Sequence, residues 1–184
     1  MLYFAYGSNL DRRVMRAKGV AYNSRRAAQL RDFALRFDKR ALRPGSPAGV
    51  GYANIVPAVG QCVEGALYEL SDSALPPLDL SERHPHHYHR IDVRIVVDGA
   101  EQAAFAYRAR EDKTGEGLSP SRDYLDRLLA GGDLFSPKYF ARLQGVATFT
   151  TPCTVCAVEV EVGFDRRGDS VRSRCLTCGA VDVV

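Results

Sequence analysis

Residues 3–6 form a short apolar run that stops at the turn-forming sequence Gly-Ser-Asn at 7–9. A continuous apolar run bounded by turn residues is typical of a buried strand. Leu10 and Val14 follow at the spacing of a helix face, and Gly19 suits the end of that helix. The first stretch therefore predicts a strand, a tight turn and a helix.

Further apolar or alternating runs predict strands over residues 27–37, 51–57, 62–70, 88–97 and 102–109. Pro57 is expected to stop the second of these runs, because proline cannot donate to a sheet ladder. Asp98-Gly99 is a typical two-residue hairpin turn between the last two runs. Residues 40–51 are rich in proline and glycine and are expected to form a loop.

Helix-type spacing appears in three later segments, at residues 75–82, 121–130 and 136–145. Pro76 and Pro77 weaken the first of them. Strands thus dominate the first 110 residues, with few helices between them. This order predicts an α+β fold, a small mixed β-barrel with flanking helices, rather than a doubly wound sheet.

Length and composition support this picture. A chain of 184 residues with 46% hydrophobic and 26% charged residues suits one soluble core domain with a small appendage. No apolar run approaches the roughly 20 residues that a membrane helix needs, and no secretory leader pattern is present. We therefore expect a cytoplasmic protein that does not bind membranes.

The net charge of +3 is unevenly distributed along the chain. Residues 1–43 hold eleven Lys or Arg against three Asp or Glu, whereas residues 151–184 hold four against five. The basic front can attract anionic ligands, but a solvated face is the simpler explanation. The slightly acidic tail argues against nucleic-acid binding.

The Gly-Ser-Asn turn at 7–9 is the first candidate for chemistry. Ser8 and Asn9 are good helix N-cap residues, and Gly7 permits a positive φ or close backbone approach. Such a turn offers free backbone N–H groups to a carboxylate or a polarised carbonyl. An ordinary strand–turn–helix junction has the same sequence, so both interpretations stay open.

Residues 79–90 contain all four histidines and two acidic residues, Asp79 and Glu82. A metal site is one hypothesis, but an extended chain around Pro85 places only His87 and His89 on one face, and zinc needs three or four ligands. A polar segment entering a strand is therefore favoured. Glu82, at the end of the predicted short helix, is a candidate acid/base, although composition alone does not separate it from Asp79 or Glu64.

The chain resembles the γ-glutamyl cyclotransferase family. The resemblance rests on the octet YFAYGSNL at 3–10, together with residues 65–68, the LDLSE segment at 78–82, Tyr88, residues 106–108 and the helix pair at 119–145. It covers about residues 1–145. It implies a barrel with flanking helices and a reaction that needs no cofactor.

The resemblance also implies roles for particular residues. Glu82 takes the place of the family's acid/base. The glutamyl moiety is expected to be held by Tyr6, Gly7, Ser8, Asn9, Leu10, Tyr88 and Tyr107. The implied reaction is attack of the substrate's α-amine on its γ-carbonyl, which releases 5-oxoproline and a free amine or amino acid.

This sequence departs from the family after Glu82. Residues 83–87 read Arg-His-Pro-His-His where the family usually has a glycine-containing stretch, so the leaving amine stays open. The turn differs from that of the glutathione-degrading branch, so glutathione is not the expected substrate. Two alternatives remain, a non-catalytic ligand- or protein-binding module and a nucleic-acid accessory factor.

The tail carries a second motif. Cys153, Cys156, Cys175 and Cys178 have the spacing C-x₂-C-x₁₈-C-x₂-C, which is typical of a four-cysteine zinc site. Alternating valines between the pairs and a turn at 163–169 predict a β-hairpin that resembles a zinc ribbon. We expect residues 1–145 and 146–184 to form two domains, with a structural Zn²⁺ in the second and a possible protein partner. Redox use of the pairs is the rival hypothesis.

Overall fold

The computed structural model describes residues 1–167 and 170–183. Five strands close into a barrel in the order β1-β3-β2-β4-β5. Their bounds are β1 Leu2–Ala5, β2 Tyr22–Arg40, β3 Gly51–Leu70, β4 Tyr88–Val97 and β5 Ala100–Ala109. β1 pairs antiparallel with β3 and parallel with β5. The predicted mixed barrel is confirmed.

Two hairpins supply the other four strands. β4 and β5 pair in register around Asp98-Gly99, whose φ angles of 51° and 81° are those of the predicted two-residue turn. β2 and β3 pair along nearly their whole length. The predicted split of β3 at Pro57 is wrong, because Pro57 lies opposite Phe33 within the continuous strand. A register shift between Arg31 and Phe33 accommodates the proline there.

Four α-helices flank the barrel, α1 Arg12–Ala17, α2 Leu75–Glu82, α3 Arg122–Leu129 and α4 Pro137–Gln144. The predicted N-caps of α1 are wrong, since Ser8–Leu10 form a 3₁₀ turn and Asp11 caps the helix by accepting from the Arg13 N–H. α2 occupies the predicted residues and ends at Glu82. Among the described residues, no helix has the length and apolar character needed to cross a membrane.

The core fills the barrel and extends under the helices. Phe4, Ile55 and Ile95 are fully buried between the strands, and Leu128 of α3 joins the same cluster. This packing fixes β1 within the barrel and so places the turn that follows it beside α2. The position of the turn therefore depends on the packing of β1 in the core and not on the residues of the turn.

The C-terminal residues form a separate three-stranded sheet in the order β6-β7-β8, with β6 Thr150–Pro152, β7 Glu159–Arg167 and β8 Ser170–Cys175. The predicted hairpin is present, with β6 added at its edge. The expected turn from Gly163 is wrong, because β7 continues to Arg167, and residues 168–169 lie outside the described residues. We call residues 150–183 the ribbon.

Candidate active site

The turn after β1 keeps spare hydrogen-bond donors. Leu10 N–H donates to Gly7 O at 3.0 Å and Asp11 N–H donates to Ser8 O at 3.2 Å. Within residues 1–167 and 170–183, the N–H groups of Gly7, Ser8 and Asn9 make no hydrogen bond. Gly7 has a negative φ of −114°, and a Cβ there would lie 3.2 Å from the Tyr124 hydroxyl oxygen. The glycine is needed for close packing, not for a left-handed backbone.

Glu82 lies against this turn at the end of α2. Its Oε1 accepts from Asn9 Nδ2 at 3.0 Å and from Lys18 Nζ at 2.9 Å. The Glu82 side chain is 16% exposed, so the carboxylate is sheltered but reachable. The structure therefore brings together two groups that lie 73 residues apart in the sequence.

Asn9 links the turn to its surroundings. Its Nδ2 also donates to the Tyr3 hydroxyl at 2.8 Å, and its Oδ1 accepts from Lys18 Nζ at 2.6 Å. Its backbone carbonyl accepts from the Tyr68 hydroxyl at 2.8 Å. Asn9 is buried, and the three contacts of its side-chain amide, with Glu82, Tyr3 and Lys18, fix the orientation of that amide beside Glu82.

A small inner pocket of about 30 Å³ lies between the turn and Glu82. Its walls include five tyrosines, Tyr3, Tyr6, Tyr88, Tyr107 and Tyr124. Burial raises the pKa of each of these phenols above its usual value of 10, so all five are neutral at physiological pH. A pocket of this size suits one functional group of a substrate.

An outer cavity of about 170 Å³ continues from the inner pocket, and Ser8, Glu82, Tyr88 and Tyr124 line both. Five cationic side chains line the outer cavity, Lys18, Lys39, Arg43, Arg83 and Arg127. Among the described residues that line it, Glu82 is the only one with a carboxylate. Glu82 thus lies where a neutral pocket meets a basic cavity.

The sequence model of the family described as "Gamma-glutamyl cyclotransferase, AIG2-like" matches residues 3–126, about two thirds of the chain. The chain belongs to this family. The match includes the turn, Glu82 and the tyrosine-bearing strands, and it stops before α4 and the ribbon. No curated protein sequence matches the chain significantly.

Solved structures agree with the family assignment. A structure described as a γ-glutamyl cyclotransferase has a TM-score of 0.68 at 25% identity, covering 81% of this chain and 89% of that chain. A human protein described as uncharacterized has a TM-score of 0.67 at 28% identity, covering 80% and 88%. YkqA from Bacillus subtilis shares the fold, with a TM-score of 0.69 at 21% identity, covering 81% of this chain and 56% of that one.

Composition alone could not decide which of Glu64, Asp79 and Glu82 is the acid/base candidate. The three carboxylates have different positions in this chain of the cyclotransferase family. Glu64 accepts from the Ser136 N–H at 2.6 Å and from its hydroxyl at 2.7 Å, at the start of α4. Asp79 accepts from the Tyr107 hydroxyl at 2.5 Å and lies 3.6 Å from Arg90 Nε. Of the three, only Glu82 lines the inner pocket and the outer cavity.

Most of the predicted binding residues lie at the inner pocket, namely Tyr6, Gly7, Ser8, Asn9, Tyr88 and Tyr107. Leu10 does not, because its side chain is 1% exposed in the core and its N–H is used by the turn. Sequence analysis missed Tyr3, Tyr124 and Lys18. A lysine at the end of a short helix carries no local signal of its partner, since the pairing with Glu82 depends on the closed barrel.

The histidine segment does not form a metal site in the described residues, where the four ribbon cysteines are the one group able to hold a metal. His87 instead lies 3.3 Å from Lys39 Nζ, its Nδ1 facing the ammonium. Burial, followed by the nearby Lys39 charge, lowers the pKa of His87 to about 4. His87 is therefore neutral at physiological pH and adds no charge to the outer cavity.

The four ribbon cysteines converge, with every Sγ atom within 4.8 Å of the others. Cys153 and Cys178 are 3.8 Å apart between Sγ atoms, which is about the separation of two thiolates on a tetrahedral zinc with Zn–S bonds of ~2.3 Å. Backbone hydrogen bonds, the largest from Cys156, lower the pKa of the Cys153 thiol to about 7. Four convergent sulfurs fit one metal ion better than two separate redox pairs.

Proposed function

We propose that this protein is a γ-glutamyl cyclotransferase that releases 5-oxoproline and a free amine or amino acid from a γ-glutamyl amide. The observation that carries the proposal is the 3.0 Å contact between Glu82 and Asn9 of the turn, at the mouth of a sheltered pocket. Membership of the family supports the reaction class. The residue roles are part of the proposal.

The reaction is an intramolecular ring closure. The α-amine nitrogen of the glutamyl moiety bonds to its own γ-carbonyl carbon, and the bond from that carbon to the leaving nitrogen breaks. Water is neither consumed nor released. Holding the amine against the carbonyl carbon contributes up to about 7–11 kcal/mol to lowering the barrier, so the site's first task is to fold the substrate back on itself.

Glu82 is assigned the proton transfers. Its carboxylate takes a proton from the α-amine as the new C–N bond forms and returns one to the leaving nitrogen. The inner pocket suits the carbonyl oxygen or the α-carboxylate, which the unused N–H groups of Gly7, Ser8 and Asn9 can receive. The neutral tyrosines beside them supply a largely apolar wall in which these hydrogen bonds are strong.

Lys18 is assigned a positioning role, because its Nζ holds Glu82 Oε1 at 2.9 Å and Asn9 Oδ1 at 2.6 Å. The change Lys18→Met removes this charge-assisted contact and leaves the carboxylate less constrained. We expect kcat/KM to fall about tenfold, which corresponds to ~1.4 kcal/mol, with the larger change in kcat. Lys18→Arg should recover part of the loss.

Arg16→Met is the matched control for Lys18, since Arg16 lies on the same helix and is exposed. Its kcat/KM should stay within about twofold of the wild type, as expected for an isolated surface charge. Equal kcat for Lys18→Met and the wild type would show that the lysine does not position Glu82.

The function itself is tested with a panel of γ-glutamyl amino acids and γ-glutamylamines, scored for 5-oxoproline and for the free amine. We expect at least one to be turned over without added metal or cofactor. If a purified, folded protein binds γ-glutamyl compounds but forms no 5-oxoproline from any, the non-catalytic binding module becomes the better account.

We also propose that the ribbon holds one structural Zn²⁺ through Cys153, Cys156, Cys175 and Cys178. The convergence of the four sulfurs supports this assignment, as does the small size of the ribbon core. The ion's contribution is to the folding of the ribbon, since so few residues cannot bury enough apolar surface alone. The ring closure involves none of these residues.

A further inference from the structure

The outer cavity carries more positive charge than one glutamyl group requires. A γ-glutamyl moiety bears a single α-carboxylate, whereas five cationic side chains line this cavity. Two are already paired, Lys18 with Glu82 at 2.9 Å and Arg127 with Asp123 at 3.3 Å. Among the described side chains, Arg43 and Arg83 make no ion pair.

Arg83 has an unusual backbone for an arginine. It follows Glu82 directly and ends α2 in the left-handed conformation, with φ 51° and ψ 41°. Glycine is the usual residue at such a helix end, because a residue with a Cβ is strained there. The strained arginine lies on the wall of the cavity and directly beside Glu82.

Lys39 lies on the same wall, with its Nζ 5.7 Å from the centre of the Tyr52 ring and 5.8 Å from the centre of the Tyr88 ring. It is 3% exposed, and its Nζ donates to Arg40 O at 2.8 Å. His87, whose Nδ1 contacts Lys39, is neutral, so Lys39 carries the only charge in this contact between the two described side chains. Since the inner pocket has room for one functional group only, the leaving group must lie in this basic cavity.

We propose that the preferred leaving amine is an acidic amino acid, so that the substrate class is γ-glutamyl-aspartate or γ-glutamyl-glutamate. The proposal rests on the cyclotransferase function argued above. Arg43 and Arg83 receive the two carboxylates of the leaving group, while Glu82 protonates its nitrogen. Cationic leaving groups such as lysine or a polyamine are disfavoured by the same charges.

The test compares γ-glutamyl-glutamate, γ-glutamyl-glutamine and γ-glutamyl-lysine on the full chain. Glutamine matches glutamate in size and lacks only the charge. We expect kcat/KM to be at least about tenfold higher for γ-glutamyl-glutamate than for γ-glutamyl-glutamine, as for a lost charge-assisted contact. The preference should shrink as the salt concentration rises.

Two variants test which residues cause the preference for γ-glutamyl-glutamate over γ-glutamyl-glutamine. Arg83→Gly removes the side chain and relieves the left-handed strain, and Arg43→Gln removes the second unpaired charge. Each should reduce the ratio between glutamate and glutamine substrates to about threefold or less. Arg94→Gln, an exposed site on β4 outside the cavity, should keep the wild-type ratio.

The outcomes separate this proposal from the function on which it rests. Turnover of γ-glutamyl-glutamine or γ-glutamyl-lysine as fast as γ-glutamyl-glutamate would overturn the charge preference alone. A preference that survives in both Arg83→Gly and Arg43→Gln would overturn the assigned residues. No 5-oxoproline from these three peptides, with turnover of another member of the γ-glutamyl panel, would overturn this proposal alone. No 5-oxoproline from any member of the panel would overturn the cyclotransferase function and this proposal with it.

A second inference comes from an independent observation, the packing of the ribbon on the loop at 41–50. Leu42 and Arg43 of this loop line the outer cavity. Ala41 and Val50, joined by an N–H to carbonyl hydrogen bond of 3.1 Å, lie in the ribbon's own core with Cys153 and Cys175. The loop is therefore held between the cavity and the metal-binding cysteines.

Further contacts extend this attachment. Phe149 directly precedes the ribbon and packs against its core. A Cβ placed on Gly49 would lie 2.7 Å from the Phe149 ring, so the ring packs directly on the loop backbone. Phe164 N–H donates to Asp123 Oδ1 at 3.2 Å, and the same carboxylate group pairs with Arg127 at 3.3 Å. Two walls of the outer cavity thus depend on the folded ribbon.

We infer that the ribbon positions the cavity loop, so that metal occupancy controls substrate affinity rather than the chemical step. Two perturbations test this, withdrawal of the metal by a chelator and Phe149→Ala, which leaves all four cysteines in place. Each should raise KM by about tenfold or more while kcat stays within about twofold, because Glu82, Asn9 and Lys18 lie outside the loop.

Amide hydrogen exchange gives a readout that is independent of activity. Exchange over residues 41–50 should accelerate at least about tenfold in both perturbations, while the distant β2–β3 tip around Val59 should not change. Unchanged exchange and an unchanged KM after metal removal would overturn the inference. A proportional loss of kcat at constant KM would also overturn it.

Discussion

Glu82→Gln is expected to lower kcat on γ-glutamyl substrates by at least about 10³-fold, within the range of 10²–10⁴ for a lost general acid/base. The amide keeps the shape of the carboxylate, and its oxygen can still accept from Asn9 and Lys18. It cannot take a proton from the α-amine at neutral pH. KM and the melting temperature should therefore change little. Steady-state kinetics on one substrate, followed by 5-oxoproline formation, would show a large loss of kcat at a nearly constant KM.

Glu69→Gln is the matched control for this change. Glu69 is exposed on β3, and its carboxylate contacts Ser24 on the barrel surface. Its kcat should equal that of the wild type within about twofold. If Glu82→Gln also kept kcat within about threefold, the carboxylate would not carry the proton and the assigned mechanism would be wrong.

Loss of the ribbon metal is expected to have the largest effect on stability. Structural zinc contributes on the order of 10 kcal/mol in small zinc-binding peptides, more than a sheet of this size can replace. Cys153→Ser should abolish the bound zinc, which metal analysis of the wild type should give as about one per chain. Amide protection over β7 and β8 should disappear while the barrel strands stay protected.

Cys62→Ser serves as the control, because Cys62 lies on β3 and outside the four-cysteine cluster. It should keep the full zinc content. A metal-free wild type with a protected ribbon, or one that forms Cys153–Cys156 and Cys175–Cys178 disulfides at cytoplasmic redox potentials, would support the rival redox hypothesis instead.

Local patterns predict much of this fold. The apolar run at 3–6, the short helix at 75–82 and the Asp98-Gly99 turn each depend on neighbours within a few residues, and each lies where expected. Pro57 shows the limit of such rules. Its effect on β3 depends on the register with Phe33 across the hairpin, which no local pattern contains.

In the candidate site, too, local patterns predicted some features, whereas those that depend on contacts between distant residues were not predicted. The residues alone made the turn at 7–9 and Glu82 candidates, and the family resemblance assigned their roles, but composition could not separate Glu82 from Asp79. The difference appears only when α2 packs on the barrel, which aims Asp79 at Tyr107 and Glu82 at Asn9. Lys18 was missed for the same reason, because its partner is distant in sequence.

The basic outer cavity was also not predicted from the sequence. The excess of positive charge in residues 1–43 is visible in the composition, and a solvated face was the favoured explanation. Most of these side chains are exposed, as that explanation expects, namely Arg12, Arg13, Arg16, Arg26, Arg31, Arg36 and Arg40. Lys18, Lys39 and Arg43, however, line one cavity together with Arg83, which comes from a different part of the chain. Charge counts along a sequence do not show convergence, because convergence is set by the barrel and the ribbon.

The most direct test of the central claim is a product analysis on one γ-glutamyl peptide. The zinc-loaded full chain is incubated with γ-glutamyl-glutamate, and 5-oxoproline and glutamate are quantified over the first turnovers. Ring closure predicts one 5-oxoproline and one glutamate per peptide consumed, both absent with Glu82→Gln. Two glutamates per peptide without 5-oxoproline would show hydrolysis, and an intact peptide would show no catalysis; either result would contradict the account.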